Sequence, residues 1–350
     1  MTTVILMGVF LVVLLFVTLF GVKYDKNKTE FFSYDDTKIL KGFWCIIIVL
    51  VHVPADFQNK IQDSLGSFAY IGVTFFFMAS AYGLKYSVKH KQNYLRNFWK
   101  RRLPALIIPA LLVNLVSVAM RLIFKQDVSP WSIFAINPWV LVLVLLYFVF
   151  WMIYYVSTKL KLTIGIKQDV IICLITIAFS IVDKLTSIKI TSIWPTECWG
   201  FVYGILLADF SERIRAIMNK NWILKTSATC VLSALFGILY LKFKSVYFIG
   251  DYCLKILLGM LISAFILQFT IRFKLGNTAI RFLGNISYEV YLMHFVIFYA
   301  LGHINIQMNS GLYIWVALVL TIISSLIIQK ISSAINKRVS NLLIRPNKKE

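Results

Sequence analysis

The sequence predicts an all-α polytopic membrane protein, a transmembrane helix bundle of about eleven spans, on three observations. Of its 350 residues 59% are hydrophobic and only 15% charged, with a mean hydropathy of +0.79. Soluble domains carry roughly 45–50% apolar and about 25% charged residues. The apolar residues come in runs close to the roughly 20 needed to cross the hydrocarbon layer. These runs are continuous rather than alternating, so the spanning elements are helices and not barrel strands.

The runs lie at 4–22, 39–54, 68–84, 103–124, 137–157, 169–184, 193–210, 223–241, 252–271, 284–303 and 312–335. Met1 to Gly8 carry no Lys or Arg, no small-residue cleavage site follows, and Lys23, Lys26 and Lys28 come after the run. The first span therefore reads as an uncleaved helix with its N-terminus outside. Alternation then places 23–38, 85–102, 158–168, 211–225, 272–283 and 336–350 in the cytoplasm, and these loops hold 26 Lys or Arg. The loops on the other side hold 5. That asymmetry supports a multi-pass protein of the cell membrane with a cytoplasmic C-terminus. No loop is long enough for a second soluble domain. The organisation expected is an N-terminal helix with a basic loop over 1–34, then a membrane domain over 35–350.

The net charge of +21 does not indicate nucleic acid, because the basic residues sit in short clusters between apolar runs, every second cluster being strong. Five cysteines, Cys45, Cys173, Cys198, Cys230 and Cys253, lie in or beside apolar runs without a C-x-x-C. They read as small buried hydrophobes, with neither a disulfide framework nor a metal site.

An ionisable side chain at membrane depth costs on the order of 2.5 kcal/mol or more, so each is a functional candidate. Lys41 and His52 are eleven positions apart, about 20° past three whole helical turns, so they share one face with a rise of ~16 Å between them. The alternative is that Lys41 snorkels to the inner surface and His52 sits among headgroups. Asp56 follows His52 by four residues, but Pro54 intervenes and ends the helix. Glu197, in the outer part of the seventh span, is the other candidate carboxylate partner for His52. Asn114, Arg121, Asp209 and Gln268 are further polar residues within the runs. Ser287, Tyr291 and His294 fall at i, i+4 and i+7 of the tenth span, one polar stripe that faces either a cavity or an interhelical hydrogen-bond seam. The cluster of Lys85, Lys89, Lys91, Arg96, Lys100, Arg101 and Arg102 fits ordinary positive-inside charge, and equally a site for a phosphorylated ligand. Pro104 and Pro109 behind it read as helix breakers.

In order along 35–335, several segments resemble motifs of the membrane acyltransferase-3 family. Lys41-x10-His52 resembles its basic-x10-His signature. Phe75-Phe-Phe-Met-Ala-Ser80-Ala-Tyr-Gly83 is similar to its F-F-x-x-S-G-F segment. Phe98-Trp-Lys100-Arg101-Arg102-Leu-Pro104 through Pro109 is similar to its basic helix start. Trp139 through Tyr147 resembles its W-x-L motif, and Gly284-Asn-Ile-Ser287-Tyr-Glu-Val-Tyr291-Leu-Met-His294 its late G-x-I-S-Y-x-x-Y-L-x-H. Lys41 stands where Arg is commoner, Ala81 replaces a Gly, and the basic start lacks its last Arg. The first span is an addition to the usual ten helices.

The resemblance implies transfer of an acetyl or other short acyl group from acyl-CoA to a hydroxyl of a cell-surface polysaccharide or other glycan. No bound cofactor is implied; acetyl-CoA is the donor substrate. His52, Lys41 and Glu197 are the expected catalytic residues, with His52 either the base or a transient acyl carrier. Lys100, Arg101 and Arg102 are expected to hold the phosphates of the donor, and Ser80, Ser287, Tyr291 and His294 to line the substrate cavity. The partners expected are the lipid bilayer, acyl-CoA and a glycan; no residue pattern assigns an oligomeric state. A transporter or flippase for a glycan or lipid-linked intermediate is the alternative, but it predicts matching internal repeats, and none is evident.

Overall fold

A computed structural model describes residues 2–28, 31–58, 62, 65–186, 195–304 and 307–343. Among them are thirteen α-helices and one two-residue strand pair. The helices are α1 (Thr2–Leu19), α2 (Tyr34–Val51), α3 (Ala69–His90), α4 (Phe98–Ile123), α5 (Pro138–Lys159), α6 (Ile166–Leu185) and α7 (Trp199–Asp209). They continue with α8 (Ser211–Asn219), α9 (Trp222–Phe243), α10 (Lys255–Arg272), α11 (Thr278–Asn285), α12 (Ser287–His303) and α13 (Ser310–Leu343). Lys23–Tyr24 (β1) pairs antiparallel with Phe273–Lys274 (β2).

Among the described residues, each apolar run but 284–303 falls mainly on a single one of these helices. Five helical segments are both long and apolar enough to cross a membrane: 94–123, 138–159, 222–243, 249–272 and 310–343. The helices on the remaining runs fall short in length or in hydropathy over their described residues, so they do not establish a count of eleven crossings. The run 284–303 breaks at Ile286 into α11 and α12. Residues 193–194 of the seventh run lie outside the described residues, as do Lys60, Lys189, Arg345, Lys348 and Lys349 of the charge count.

Local chemistry sets the ends of the helices that matter most. Ser33 caps α2 by accepting from the Asp36 amide at 3.1 Å, and Asp35 and Asp36 sit in the first turn, where the helix dipole favours negative charge. Lys28 binds Asp36 at 2.6 Å and the Thr270 carbonyl at 2.7 Å, tying the start of α2 to the end of α10. The helix stops at Val51, with His52 as its C-cap and Pro54 beyond. Asn137 caps α5, accepting from the Trp139 amide at 3.0 Å, with Pro138 in the first turn.

Two expectations are corrected. Pro104 and Pro109 do not break α4, which runs through both. Prolines persist in membrane helices where neighbours satisfy the backbone they disturb, and here the Tyr288 hydroxyl donates to the Leu106 carbonyl at 2.8 Å. The basic segment 85–102 is not all loop, because α3 continues to His90. It carries Lys85 inside, where the ammonium meets Asp169, the Tyr154 hydroxyl and Asp209. Lys89 pairs with Asp209 at 3.0 Å.

The most extensive contacts are α3 with α7, α2 with α11, and α9 with α10. The α3–α7 seam is close because α7 reads Gly200-Phe-Val-Tyr-Gly204. A β-carbon at Gly200 would overlap the Thr74 carbonyl, and one at Gly204 the Met78 carbonyl. Small residues four apart allow this approach of two backbones in lipid.

Candidate active site

His52 sits at the tip of α2. Its Nδ1 lies 2.8 Å from the Ile48 carbonyl one turn back. A carbonyl only accepts, so Nδ1 carries the proton in that bond and Nε2 keeps its lone pair. The ring lies against α12, with its centroid 5.1 Å from that of His294 and 4.9 Å from that of Phe295. It lines a cavity of about 620 Å³ together with Glu197, Tyr70, Tyr240, Asp251 and Lys255. A polar cavity, rather than an unbroken apolar surface, meets the imidazole.

At the other end of α2, Lys41 lines a cavity of about 940 Å³ with Lys38, Lys91, Arg102, Ser80 and Tyr147. Lys38 and Lys41 are three apart, adjacent on one helix face. Arg102 is held by its Nε and Nη2 donating to the Tyr94 hydroxyl at 3.1 and 2.9 Å. Several cations thus converge where a polyanion could be gripped.

A chamber of about 200 Å³ lies between the two cavities. It shares Lys41, Ser80 and Tyr147 with the cationic mouth. With the His52 cavity it shares Ile48, Val73, Trp139 and Tyr291. The three spaces therefore abut in series along α2, and the step next to His52 is a waist of four mainly apolar side chains. Tyr291 is fixed there by donating to Asn137 Oδ1 at 3.2 Å, the same atom that caps α5 beneath Trp139.

The site residues expected from the sequence are brought together unevenly. Lys41, Ser80, Ser287 and Tyr291 line the chamber, and His52 and Glu197 share the cavity beyond it. The Ser287 hydroxyl donates to the Gly284 carbonyl at 3.0 Å. Of the three cations expected to hold phosphate, Arg102 alone is among the residues lining the mouth. Lys100 donates to the Leu343 carbonyl at 3.0 Å, and Arg101 is exposed. His294 lines none of the three spaces. It is fully buried, with Nδ1 3.2 Å from the Val290 carbonyl and Nε2 without a hydrogen-bond partner among the described residues.

The orienting bond to His52 comes from the backbone of its own helix and not from a carboxylate. Asp56 lies in an exposed turn. Glu197 pairs with Lys255 at 3.5 Å and accepts from Thr196 at 2.9 Å. Lys91 belonged to the basic cluster that the sequence offered as a phosphate site, whereas Lys38, Tyr147 and Lys255 were not singled out as site residues. For Lys38 the signal was present in its i, i+3 spacing to Lys41; Lys255 is joined to the site only through tertiary packing.

No curated protein and no solved structure matches the chain. The model of a family described as an acyltransferase domain matches residues 34–330, from the first residue of α2 to well inside α13. That stretch includes every helix bordering the three spaces, and the chain belongs to the membrane acyltransferase-3 family.

Proposed function

We propose that the protein is an integral membrane O-acetyltransferase. It moves an acetyl or other short acyl group from acyl-CoA to a hydroxyl of a cell-surface polysaccharide or other glycan. The observation that carries this reading is the series of abutting spaces between a cationic mouth and an imidazole with a free Nε2. In the cell membrane, with the N-terminus outside and the C-terminus cytoplasmic, the mouth faces the cytoplasm, where the donor is made. Residues 35–350 form the reacting domain, and 1–34 add a helix and a basic loop.

Arg102, Lys38, Lys41 and Lys91 hold the donor phosphates at the mouth. The donor's slender arm lies in the chamber past Ser80 and Ser287, and its thioester passes the waist toward His52. The acceptor occupies the larger cavity. His52 Nε2 removes the acceptor hydroxyl proton as the oxygen attacks the thioester carbonyl; the carbon–sulfur bond breaks, and the proton passes to the departing thiolate. The apolar waist keeps water from taking the acceptor's place. His294 acts through His52 as a positioning residue, its ring packed against the imidazole.

Reconstituted protein supplied with acetyl-CoA tests this. The unsubstituted protein acetylates a glycan acceptor, and His52→Ala loses at least about a hundredfold of that rate, the usual share of a general base. Full activity in His52→Ala at equal protein level refutes the assignment. Glycan passage through the bilayer without any thioester would instead make the protein a transporter.

A further inference from the structure

We infer that a further cavity beside the cationic mouth seats the adenine base of the donor, stacked against a row of aromatic rings on α3. The inference rests on the acyl-transfer reading and adds a base subsite to it.

This cavity, of about 660 Å³, is lined by the end of α3, the end of α7 and the start of α8. Its size falls within the roughly 300–1,000 Å³ of small-ligand pockets. Phe31, Tyr82 and Tyr86 line it, and the same three side chains line the mouth. The two spaces therefore share a wall, and the transfer step leaves the second one unused.

Tyr82, Tyr86 and His90 follow one another at four-residue spacing on α3, so they share one helix face. Their rings are near-parallel. Tyr82 and Tyr86 have centroids 6.2 Å apart at 22°, and Tyr86 and His90 4.0 Å apart at 24°. Phe32 backs the row, meeting Tyr82 edge-on at 5.0 Å. All three rings of the row line the second cavity, and Tyr86 is 49% exposed. Aromatic belts of membrane proteins lie among lipid headgroups. These rings instead face a space that Lys89, Asp209, Glu212 and Arg213 also line.

The two spaces differ in charge. Around the mouth stand Lys38, Lys41, Lys91 and Arg102 against one carboxylate, Asp35, which lies 3.5 Å from Arg281. In the second cavity Asp209 pairs with Lys89 at 3.0 Å, and Glu212 and Arg213 bring one charge of each sign. An excess of cations suits phosphates, and exposed aromatic faces suit a nucleobase. A nucleotide has the same order, with its base one ribose away from its phosphates. With the phosphates at the mouth and the arm in the chamber, the adenosine end has to leave the mouth on another side. It goes either to water or past Tyr82 and Tyr86 into the second cavity. Stacking favours the second course, because every base has a face that gains by leaving water for an aromatic ring. The Glu212 carboxylate and the Ser211 hydroxyl at the same wall can accept from the adenine amine.

The test measures Kd by calorimetry on the full-length protein in detergent, and so needs no acceptor. The two probes are acetyl-CoA and an analogue that keeps the ribose and all three phosphates but carries hydrogen in place of adenine. The unsubstituted protein is expected to bind acetyl-CoA at least tenfold more tightly, the worth of one stacked base. Tyr86→Ala is expected to erase most of that preference by weakening acetyl-CoA, and Tyr86→Phe, which keeps the ring, to preserve it. Equal Kd values for the two probes in the unsubstituted protein overturn the inference, and this comparison needs no variant to fold. A preference that survives intact in Tyr86→Ala overturns it as well. So does ATP that binds through Tyr86 without displacing acetyl-CoA, since the cavity would then belong to a separate nucleotide. Binding of neither probe is a distinct result: it overturns the acyl-transfer reading, and the inference falls with it.

Discussion

His52 and His294 are neighbours with opposite circumstances. One imidazole lines a cavity and has its Nδ1 committed to Ile48, leaving Nε2 available. The other is sealed among Phe295, Phe298 and α12, and its Nε2 has no partner among the described residues. A buried polar atom left unsatisfied costs about 1–3 kcal/mol, which a purely packing residue would not need to bear. If His294 works on His52 through Nε2, His294→Gln, which can place a polar atom near that position, should stay within about tenfold of the unsubstituted kcat. His294→Asn and His294→Phe should each lose about a hundredfold, with KM for acetyl-CoA little changed. Equal rates in the three variants would reduce His294 to packing. Lys41, His52, Ser287 and Tyr291 were legible in the sequence because helical periodicity alone aligns them. Glu197 was visible as a polar residue in an apolar run, but its partner was not, since Lys255 lies 58 positions away (255 − 197) and reaches it only through the packing of α10.

At the scale of elements, α3 bears the heaviest load. Its backbone is pressed against α7 at Gly200 and Gly204. Its Lys85 joins α5, α6 and α7 through Tyr154, Asp169 and Asp209. Removing one member of a buried ion network leaves the others uncompensated, at a cost of about 3–5 kcal/mol. Lys85→Met should therefore lower the thermal midpoint in detergent by several degrees, and adding Asp169→Leu should recover part of the loss. No loss in Lys85→Met would mean that water, not packing, solvates the cluster. The sequence placed Lys85 in a loop because charge at the end of an apolar run looks the same whether the helix stops or continues. Only the acids on α6 and at the end of α7 distinguish the two cases.

Across the whole molecule, the apolar runs located the helices well and their crossings less well. Where a run is uniformly apolar, as over 138–159 or 222–243, the helix is long enough to span. Where polar site residues enter a run, hydropathy falls whether the helix stays whole, as α2 and α3 do, or breaks, as at 284–303. The orientation rests on charge asymmetry and is testable by labelling. With Cys230 and Cys253 replaced by Ser, an impermeant thiol reagent added to intact cells should modify Asp127→Cys and spare Lys161→Cys. The reverse pattern would invert the protein in the membrane.

One rod fixes both termini of the path. Lys41 and His52 ride on α2, which runs without interruption from Tyr34 to Val51, and the imidazole is tied to the same rod through Ile48. Bending elsewhere cannot change the span between them, about 16 Å at 1.5 Å per residue. The helix is a ruler, and any motion that widens the waist has to come from the facing walls, α3, α5 and α12.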